Sequence, residues 1–226
     1  GVVSCNDTPG FLGNRVGVYA LQVGITTAAK LGLTIEEADA VMGRPMGIPK
    51  TGVFGLYDLI GLDLMLDVAK SLARELPDGD PFHAVANGIK LIPILCNQGY
   101  VGNKGKGGFY RTSTGSNRFQ RQSVNLVTGE YHASTRFDIA TPDCIRDLVT
   151  GDDKLSRFAW EVLSNTLNYS ASLIPETAID VQQIDDAMKL GYGWQRGPFE
   201  LIDELGVGWF VDRLRQSGHA PAAFLV

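Results

Sequence analysis

The sequence predicts a mainly α-helical protein in which one helical unit occurs twice, with a short β-hairpin between the two copies. Residues 52–61 and 197–206 share the pattern Gly-x-Phe-x-Leu-x-Asp-x-x-Gly at a spacing of 145 residues. Upstream of each copy, Thr34–Glu37 and Asp180–Gln183 have the form of a capping box, which satisfies the free amides of a first helical turn. The sequence shows none of the strand–helix alternation that builds a parallel sheet.

In the first copy, the spacing of apolar residues and the positions of Gly and Pro predict five helices. A helix of about five turns follows Pro9 and Gly10, and Gly32 closes it. A second helix begins at the Thr34 capping box, and the Gly- and Pro-rich residues 43–52 form a loop. The other three helices are expected over residues 54–60, 63–76 and 81–94.

A β-hairpin is expected after the first copy. The glycine-dense loop 99–108 leads into it. Residues 118–127 and 131–137 have the composition of two strands, and Thr128–Glu130 between them has that of a short turn. This hairpin is the natural boundary between the copies.

The second copy opens at Thr141–Asp143, where a capping residue precedes a Pro at the first helical position. Its long helix passes through residues 155–163, and its last helix passes through residues 207–214. We therefore expect a first domain over residues 1–110, a hairpin linker over residues 111–140 and a second, degenerate copy over residues 141–226.

Composition excludes several classes of function. The 226 residues suffice for two domains of roughly 100 residues each. A net charge of −5 and 44% hydrophobic residues indicate neither disorder nor a nucleic-acid surface. Cys5, Cys96 and Cys144 form no CxxC pair, so we predict no metal site and a reducing compartment. No apolar run reaches the ~20 residues of a membrane span.

The chain begins at Gly1 without Met and has no signal peptide, so we interpret it as a piece of a longer polypeptide. We expect a bacterial cytoplasmic location, with an organelle matrix as the alternative.

Four motifs occur in a fixed order along the first copy. They are Asp7–Arg15 (DTPGFLGNR), Arg44–Gly47 (RPMG), Gly52–Asp63 (GVFGLYDLIGLD) and Gly102–Tyr110 (GNKGKGGFY). This order resembles the C-terminal region of the 3-hydroxyacyl-CoA dehydrogenases of fatty-acid β-oxidation. Gly197–Asp203 in the second copy resembles the tandem C-terminal domains of the multifunctional members that also carry an enoyl-CoA hydratase. The resemblance implies two helical domains like the C-terminal domain of 6-phosphogluconate dehydrogenase.

Two departures from the family pattern are visible. The family usually runs Met-Gly-Pro-Phe without interruption, whereas this chain has Ile48–Thr51 between Gly47 and Gly52, so the loop is longer. The second copy has no Pro-Gly-Phe-x-x-Asn-Arg segment, and its nearest element is Leu155–Phe158. We therefore expect no catalytic residue in the second copy.

The resemblance implies a preceding domain that supplies the NAD site and a histidine base held by a glutamate. This sequence has no strand leading into GxGxxG, and residues 102–108 lack the strand, helix and downstream acid of a dinucleotide site. A P-loop is also excluded, because Gly107 follows Lys106 where Ser or Thr is required. We expect this piece neither to bind NAD nor to turn over substrate alone.

The resemblance assigns catalysis to Asn14. It places Asn14 beside the histidine of the other domain, where the amide donates to the carbonyl oxygen of the substrate as negative charge develops there. Pro9 and Gly10 would start the helix and let the two domains approach closely. The alternative is that Asn14 and Arg15 are ordinary polar positions of a helix.

Further roles are expected in the loops. Lys104 and Lys106 would bind CoA phosphates, or else lie on a solvated loop. The resemblance also implies substrate contacts by Met46 and Phe54. Asp58 and Asp203 occupy the same place in the two copies, so we expect structural roles in which they bond loop amides.

The function that the sequence favours is the oxidation of a 3-hydroxyacyl-CoA to the 3-ketoacyl-CoA. This region would close the acyl-CoA cleft and pack against the NAD-binding domain of the same polypeptide. The sequence is compatible with either a monomer or a homodimer. One alternative is a non-catalytic scaffold or oligomerisation module, and another is a relative of 6-phosphogluconate dehydrogenase that acts on a small hydroxy acid.

Overall fold

The computed structural model describes residues 1–115 and 118–226, and this part is mainly helical with one small antiparallel sheet. The first copy contains α1 Gly13–Leu31, α2 Ile35–Val41, α3 Gly52–Ile60, α4 Leu62–Glu75 and α5 Leu91–Asn97. The sheet has the order β1 Tyr110–Gly115, β2 Arg118–Val124 and β3 Tyr131–Ala133. The second copy contains α6 Ile145–Thr150, α7 Lys154–Ser172, α8 Val181–Tyr192, α9 Pro198–Leu205 and α10 Val207–Gln216.

The predicted fold class is confirmed, with three corrections. The helix expected to open at Thr141–Asp143 begins instead at Ile145, with Cys144 as its N-cap. The sheet has three strands, because β1 pairs with β2 at the edge away from β3. The helix predicted over residues 81–94 is instead a single turn at Pro81–Ala84 followed by α5. Gly88 interrupts it with a left-handed φ of 55°. The division into residues 1–110, 111–140 and 141–226 stays a prediction.

An aspartate clamps the same helix start in both copies. Asp39 of α2 accepts hydrogen bonds from the amides of Phe54 at 2.7 Å and Gly55 at 3.2 Å. Asp185 of α8 accepts them from the amides of Phe199 at 2.8 Å and Glu200 at 3.3 Å. These carboxylates satisfy amides that a helix start leaves without an intrahelical partner.

The clamp requires glycine at the start of each repeated motif. A Cβ on Gly52 would lie 2.4 Å from Cβ of Asp39, and one on Gly197 would lie 2.3 Å from Cβ of Asp185. Distances this short exclude a larger residue unless the backbone moves. The repeated Gly and the Asp of the preceding helix therefore form one structural unit.

The long helices α1 and α7 pack against each other at the centre of the molecule. Tyr19 stacks on Tyr169 with ring centroids 4.0 Å apart. Residues of α1 are buried around most of its circumference, including the side chain of Arg15, which is 1% exposed. One hydrophobic core therefore extends through both copies.

The sheet packs on the first copy through polar contacts with α2. The hydroxyls of Ser123 and Ser134 donate to Oε1 of Glu36 at 2.6 and 2.7 Å. Tyr110 donates through its hydroxyl to Oδ2 of Asp39 at 2.8 Å. These bonds fix where β1 and β2 lie relative to α2 and α3.

Candidate functional site

Asn14 lies on the first turn of α1 with its side chain exposed. The two residues that lead into this turn have left-handed backbones, with φ of 76° at Gly10 and 48° at Phe11. Such a φ is uncommon for a bulky residue. Phe11 is also 59% exposed, so an apolar ring and an amide stand together on the surface at the start of α1.

The second copy contributes a tyrosine to this surface. Tyr192 of α8 donates through its hydroxyl to Oδ1 of Asn14 at 3.4 Å. Its ring lies on the backbone of α1, since a Cβ on Gly17 would fall 2.0 Å from the ring. Burial raises the pKa of Tyr192 to about 12, so the hydroxyl carries its proton at neutral pH.

The segment before Asn14 is also held by the second copy. The backbone amide of Asn6 donates to the carbonyl of Thr177 at 3.0 Å, and its side-chain amide donates to the carbonyl of Glu176 at 2.9 Å. The hydroxyls of Thr8 and Thr177 lie 3.3 Å apart. The path of the chain into α1 is therefore set by the loop before α8.

The residue after Asn14 is anchored in the core. Arg15 donates through Nε to the hydroxyl of Tyr169 at 2.9 Å and through Nη2 to Oδ2 of Asp80 at 2.9 Å. Asp80 is 8% exposed at its side chain, so the ion pair is buried. Because a buried pair is costly to break, Arg15 fixes the first turn of α1.

The glycine loop 99–108 folds around Asp58. This carboxylate accepts hydrogen bonds from the amides of Phe109 and Tyr110, both at 2.7 Å. A Cβ on Gly108 would lie 2.0 Å from Oδ1 of Asp58. Burial raises the pKa of Asp58 to about 6, although the two amides and the nearby Arg121 act in the opposite direction.

The remaining predicted residues are placed as follows. Lys104 forms an ion pair with Asp63 at 2.7 Å, and Lys106 is exposed. Met46 and Phe54 lie in the core at 1% and 0% exposure. Asp203 is exposed and makes no side-chain hydrogen bond among the residues that the structure describes. The structure brings none of these side chains into contact with Asn14.

Two cavities adjoin the sheet. One of about 630 Å³ is lined by Asp39, Arg44 and residues 134–139, among others. The other, of about 760 Å³, lies between Lys50, α3, the glycine loop and the edge of β1. Burial raises the pKa of Asp39 to about 7, although it accepts three hydrogen bonds.

Several residues near these sites were missed by the sequence analysis: Tyr169, Tyr192, Lys50 and Arg121. Gly13 and Gly17 stand one helical turn apart on α1, which is a signal for a close-packed partner. That signal does not identify the partner, because Tyr192 lies 178 positions from Asn14 in the sequence.

Neither a membrane span nor a metal cluster is found in the described residues. None of the helices there is long and apolar enough to cross a bilayer. No group of three or more His, Cys, Asp or Glu side chains there is arranged to hold a metal ion.

Comparison with known proteins gives consistent matches. The family model described as 3-hydroxyacyl-CoA dehydrogenase, C-terminal domain, matches residues 10–112 and 158–222. A putative fatty acid oxidation complex trifunctional enzyme of Rickettsia prowazekii is 35% identical over 201 residues, which are 89% of this chain and 28% of that protein. A probable 3-hydroxyacyl-CoA dehydrogenase of Bacillus subtilis is 35% identical over 229 residues, covering 96% of this chain and 28% of that protein.

A solved structure shares the fold. The crystal structure of 3-hydroxybutyryl-CoA dehydrogenase from Escherichia coli K12 aligns with a TM-score of 0.65 over 99% of this chain and 60% of that chain. The sequence identity is 17%, so this likeness concerns the fold alone. The chain spans 28% of the length of the Rickettsia prowazekii protein and 28% of the length of the Bacillus subtilis protein.

Proposed function

Because the chain belongs to the family of 3-hydroxyacyl-CoA dehydrogenase C-terminal domains, we propose that it is the substrate-binding C-terminal region of an NAD-dependent (S)-3-hydroxyacyl-CoA dehydrogenase of fatty-acid β-oxidation. The intact enzyme would oxidise a 3-hydroxyacyl-CoA to the 3-ketoacyl-CoA. The match of the family model to both copies supports the proposal.

We assign NAD binding to another domain of the same polypeptide. The glycine loop of this chain does not fit a dinucleotide, because it closes through a bridge between Gly102 and Gly107 and continues into the antiparallel strand β1. A dinucleotide site requires a glycine turn between a parallel strand and a helix. We therefore expect this chain to have no dehydrogenase activity on its own.

Asn14 is the catalytic residue that we propose for this chain. The observation that carries the proposal is its exposed position on a turn that is fixed on both sides, by Asn6 before it and Arg15 after it. A side-chain amide held in this way can donate to the 3-oxygen of the substrate while negative charge develops there. A neutral donor does so without leaving a permanent charge buried in the closed site.

Tyr192 would determine which atom of the Asn14 amide faces the substrate. An asparagine amide has one acceptor oxygen and two N–H donors. Donation from the hydroxyl of Tyr192 to Oδ1 occupies the oxygen and leaves Nδ2 as the free donor. This orientation is the one that an oxyanion requires.

We propose acyl-CoA as the substrate partner, with the loop lysines near its phosphates. Lys106 is the better candidate, because Lys104 is already paired with Asp63. Met46 and Phe54 would act indirectly, as core residues that support the loop between α2 and α3. Pro9 and Gly10 would set the approach of the NAD-binding domain. A homodimer and a bacterial cytoplasmic location belong to the same proposal.

A non-catalytic scaffold is the second candidate. It is favoured by the burial of Met46 and Phe54 and by the purely internal bonds of Asp58, which leave none of these three side chains exposed to substrate. The two candidates differ in what they require of Asn14.

The test is NADH oxidation with acetoacetyl-CoA by the polypeptide that joins this chain to its NAD-binding domain. We expect Asn14→Ala to lower kcat by about 10²-fold, as on removal of one oxyanion donor. Asn97→Ala is the matched control, because Asn97 is an exposed asparagine at the end of α5. Full activity in Asn14→Ala would favour the scaffold, and an inactive parent would refute the reaction itself.

A further inference from the structure

A cationic groove runs along the free edge of β1. This cavity of about 760 Å³, called here the sheet-edge groove, is lined by Lys50, Asn103, Lys106, Arg111, Thr112 and Arg121, among others. Its volume is in the range of small-molecule sites, about 300–1,000 Å³. Because β1 is an edge strand, the groove is open to ligands from solvent.

Three cations, Lys50, Lys106 and Arg121, surround the groove, although the chain as a whole has a net charge of −5. Asp58 is the acid among the lining residues, and its two oxygens already accept bonds from Phe109 and Tyr110. Within residues 1–115 and 118–226, none of the three cations makes an ion pair with a carboxylate. Asp58 lies near Arg121 and offsets one of the three charges, so the groove keeps a net positive charge, and such a cleft attracts anions.

The guanidinium group of Arg121 is held in place by a neutral partner, because it lies over the ring of Tyr110 at 3.9 Å from the centroid. Arg111 pairs with Gln122 in the sheet, so its side chain projects from the opposite face, where it contacts Tyr131 and Tyr100. Fixed donors lose little conformational entropy when a ligand binds. The guanidinium fork also matches the oxygens of a phosphate group.

The two lysines approach from separate loops. Lys106 belongs to the glycine loop, and Lys50 belongs to the Ile48–Thr51 segment that interrupts the family motif. The carbonyl of Gly47, just before that segment, accepts from the amide of Gln195 in the second copy at 2.8 Å.

We propose that the sheet-edge groove binds the phosphate groups of a nucleotide-bearing ligand, with Arg121 as the fixed donor and Lys50 and Lys106 as mobile ones. The choice of a nucleotide rests on the proposed function, because CoA carries a 3′-phosphate and a diphosphate. The charge and geometry of the groove are independent of that function.

The experiment is calorimetric titration of this chain, at low ionic strength, with inorganic pyrophosphate, adenosine 3′,5′-bisphosphate and unphosphorylated adenosine. We expect both phosphate probes to bind and adenosine not to bind. The double variant Lys50→Gln/Lys106→Gln and the single variant Arg121→Gln should each raise Kd about tenfold or more. Lys70→Gln is the matched control, because Lys70 is an exposed lysine on α4, and its Kd should be unchanged.

The proposal is overturned if neither phosphate probe binds, or if Lys70→Gln weakens binding as much as the groove variants. A second arm measures KM for acetoacetyl-CoA in the intact enzyme with Lys50→Gln/Lys106→Gln. A raised KM assigns the groove to the substrate. Phosphate binding with an unchanged KM supports the groove as a phosphate site and shows that the substrate does not use it. Failure of the proposed function would be seen separately, as an unchanged kcat in Asn14→Ala.

Discussion

In the role proposed for it, Asn14 would donate to a substrate oxygen through its amide nitrogen, and Tyr192 is the neighbour whose hydroxyl bonds the amide oxygen. The tyrosine belongs to the copy that has no Pro-Gly-Phe-x-x-Asn-Arg segment. Its ring rests on Gly17 of α1, where any side chain would displace it. In the proposed function, the second copy would therefore contribute to the site of the first copy.

Tyr192→Phe removes the hydroxyl and keeps the ring on α1. We expect kcat of the intact enzyme to fall about tenfold with little change in KM, because the amide loses its preferred orientation and the substrate contacts remain. The same substitution in the Asn14→Ala background should have no effect, which a double-mutant cycle measures. An equal loss in both backgrounds would assign Tyr192 a packing role only.

At the scale of elements, each copy is held together internally by the same clamp of an aspartate on a helix start. The clamp joins α2 to α3 and α8 to α9. It differs in one respect, since Gly52 has a left-handed φ of 67° and Gly197 does not. The first clamp therefore needs glycine both for the left-handed backbone and for the close approach of the aspartate, whereas the second needs it only for the close approach.

Alanine substitutions should separate these two reasons. Gly197→Ala should lower the free energy of unfolding by about 1–3 kcal/mol through the clash with Asp185. Gly52→Ala should cost about 1 kcal/mol more, because alanine disfavours the left-handed conformation. Gly191→Ala in α8 meets no neighbour and should be neutral or stabilising. Urea unfolding of the three variants measures this order, and a Gly197→Ala variant as stable as the wild type would contradict it.

At the scale of the whole molecule, the buried aspartates couple folding to pH. Burial raises the pKa of Asp39 to about 7 and the pKa values of Asp58 and Asp185 to about 6. The carboxyl of an aspartate in an unfolded chain has a pKa of about 3.9. The folded state therefore binds more protons than the unfolded state between about pH 4 and pH 7, and stability falls as the pH rises through that window.

We expect the free energy of unfolding to decrease from pH 5 to pH 8, as followed by urea denaturation. Asp39→Asn should reduce that decrease, because the variant has no proton to lose at this position, although its lost bonds lower stability at every pH. Asp78→Asn, at an exposed site, should keep the wild-type dependence. A decrease of the same size in Asp39→Asn and in the wild type would refute the contribution of Asp39 to the pH dependence of stability.

The sequence by itself determined the features that depend on neighbours along the chain. The capping box at Thr34 formed as predicted, with the Thr34 hydroxyl bonded to the amide of Glu37 at 3.2 Å. The ends of α1, α3 and α4 also follow from local signals, at Gly32, at Gly61 and just before Pro77, and the order of four short motifs indicated the family. These features are readable because propensity, capping and glycine placement act within a few residues.

Only the tertiary structure decided the features that join distant residues. The edge strand β1 has a polar sequence and exists because it pairs with β2 and packs on α3. Met46 and Phe54 are interior, with Phe54 packed edge-on against the distant Phe109, and Tyr192 meets Asn14 across 178 positions. The sheet-edge groove likewise collects cations from loops and strands more than 50 residues apart. Contacts of this kind depend on which surfaces pack together, and no local pattern of residues encodes that choice.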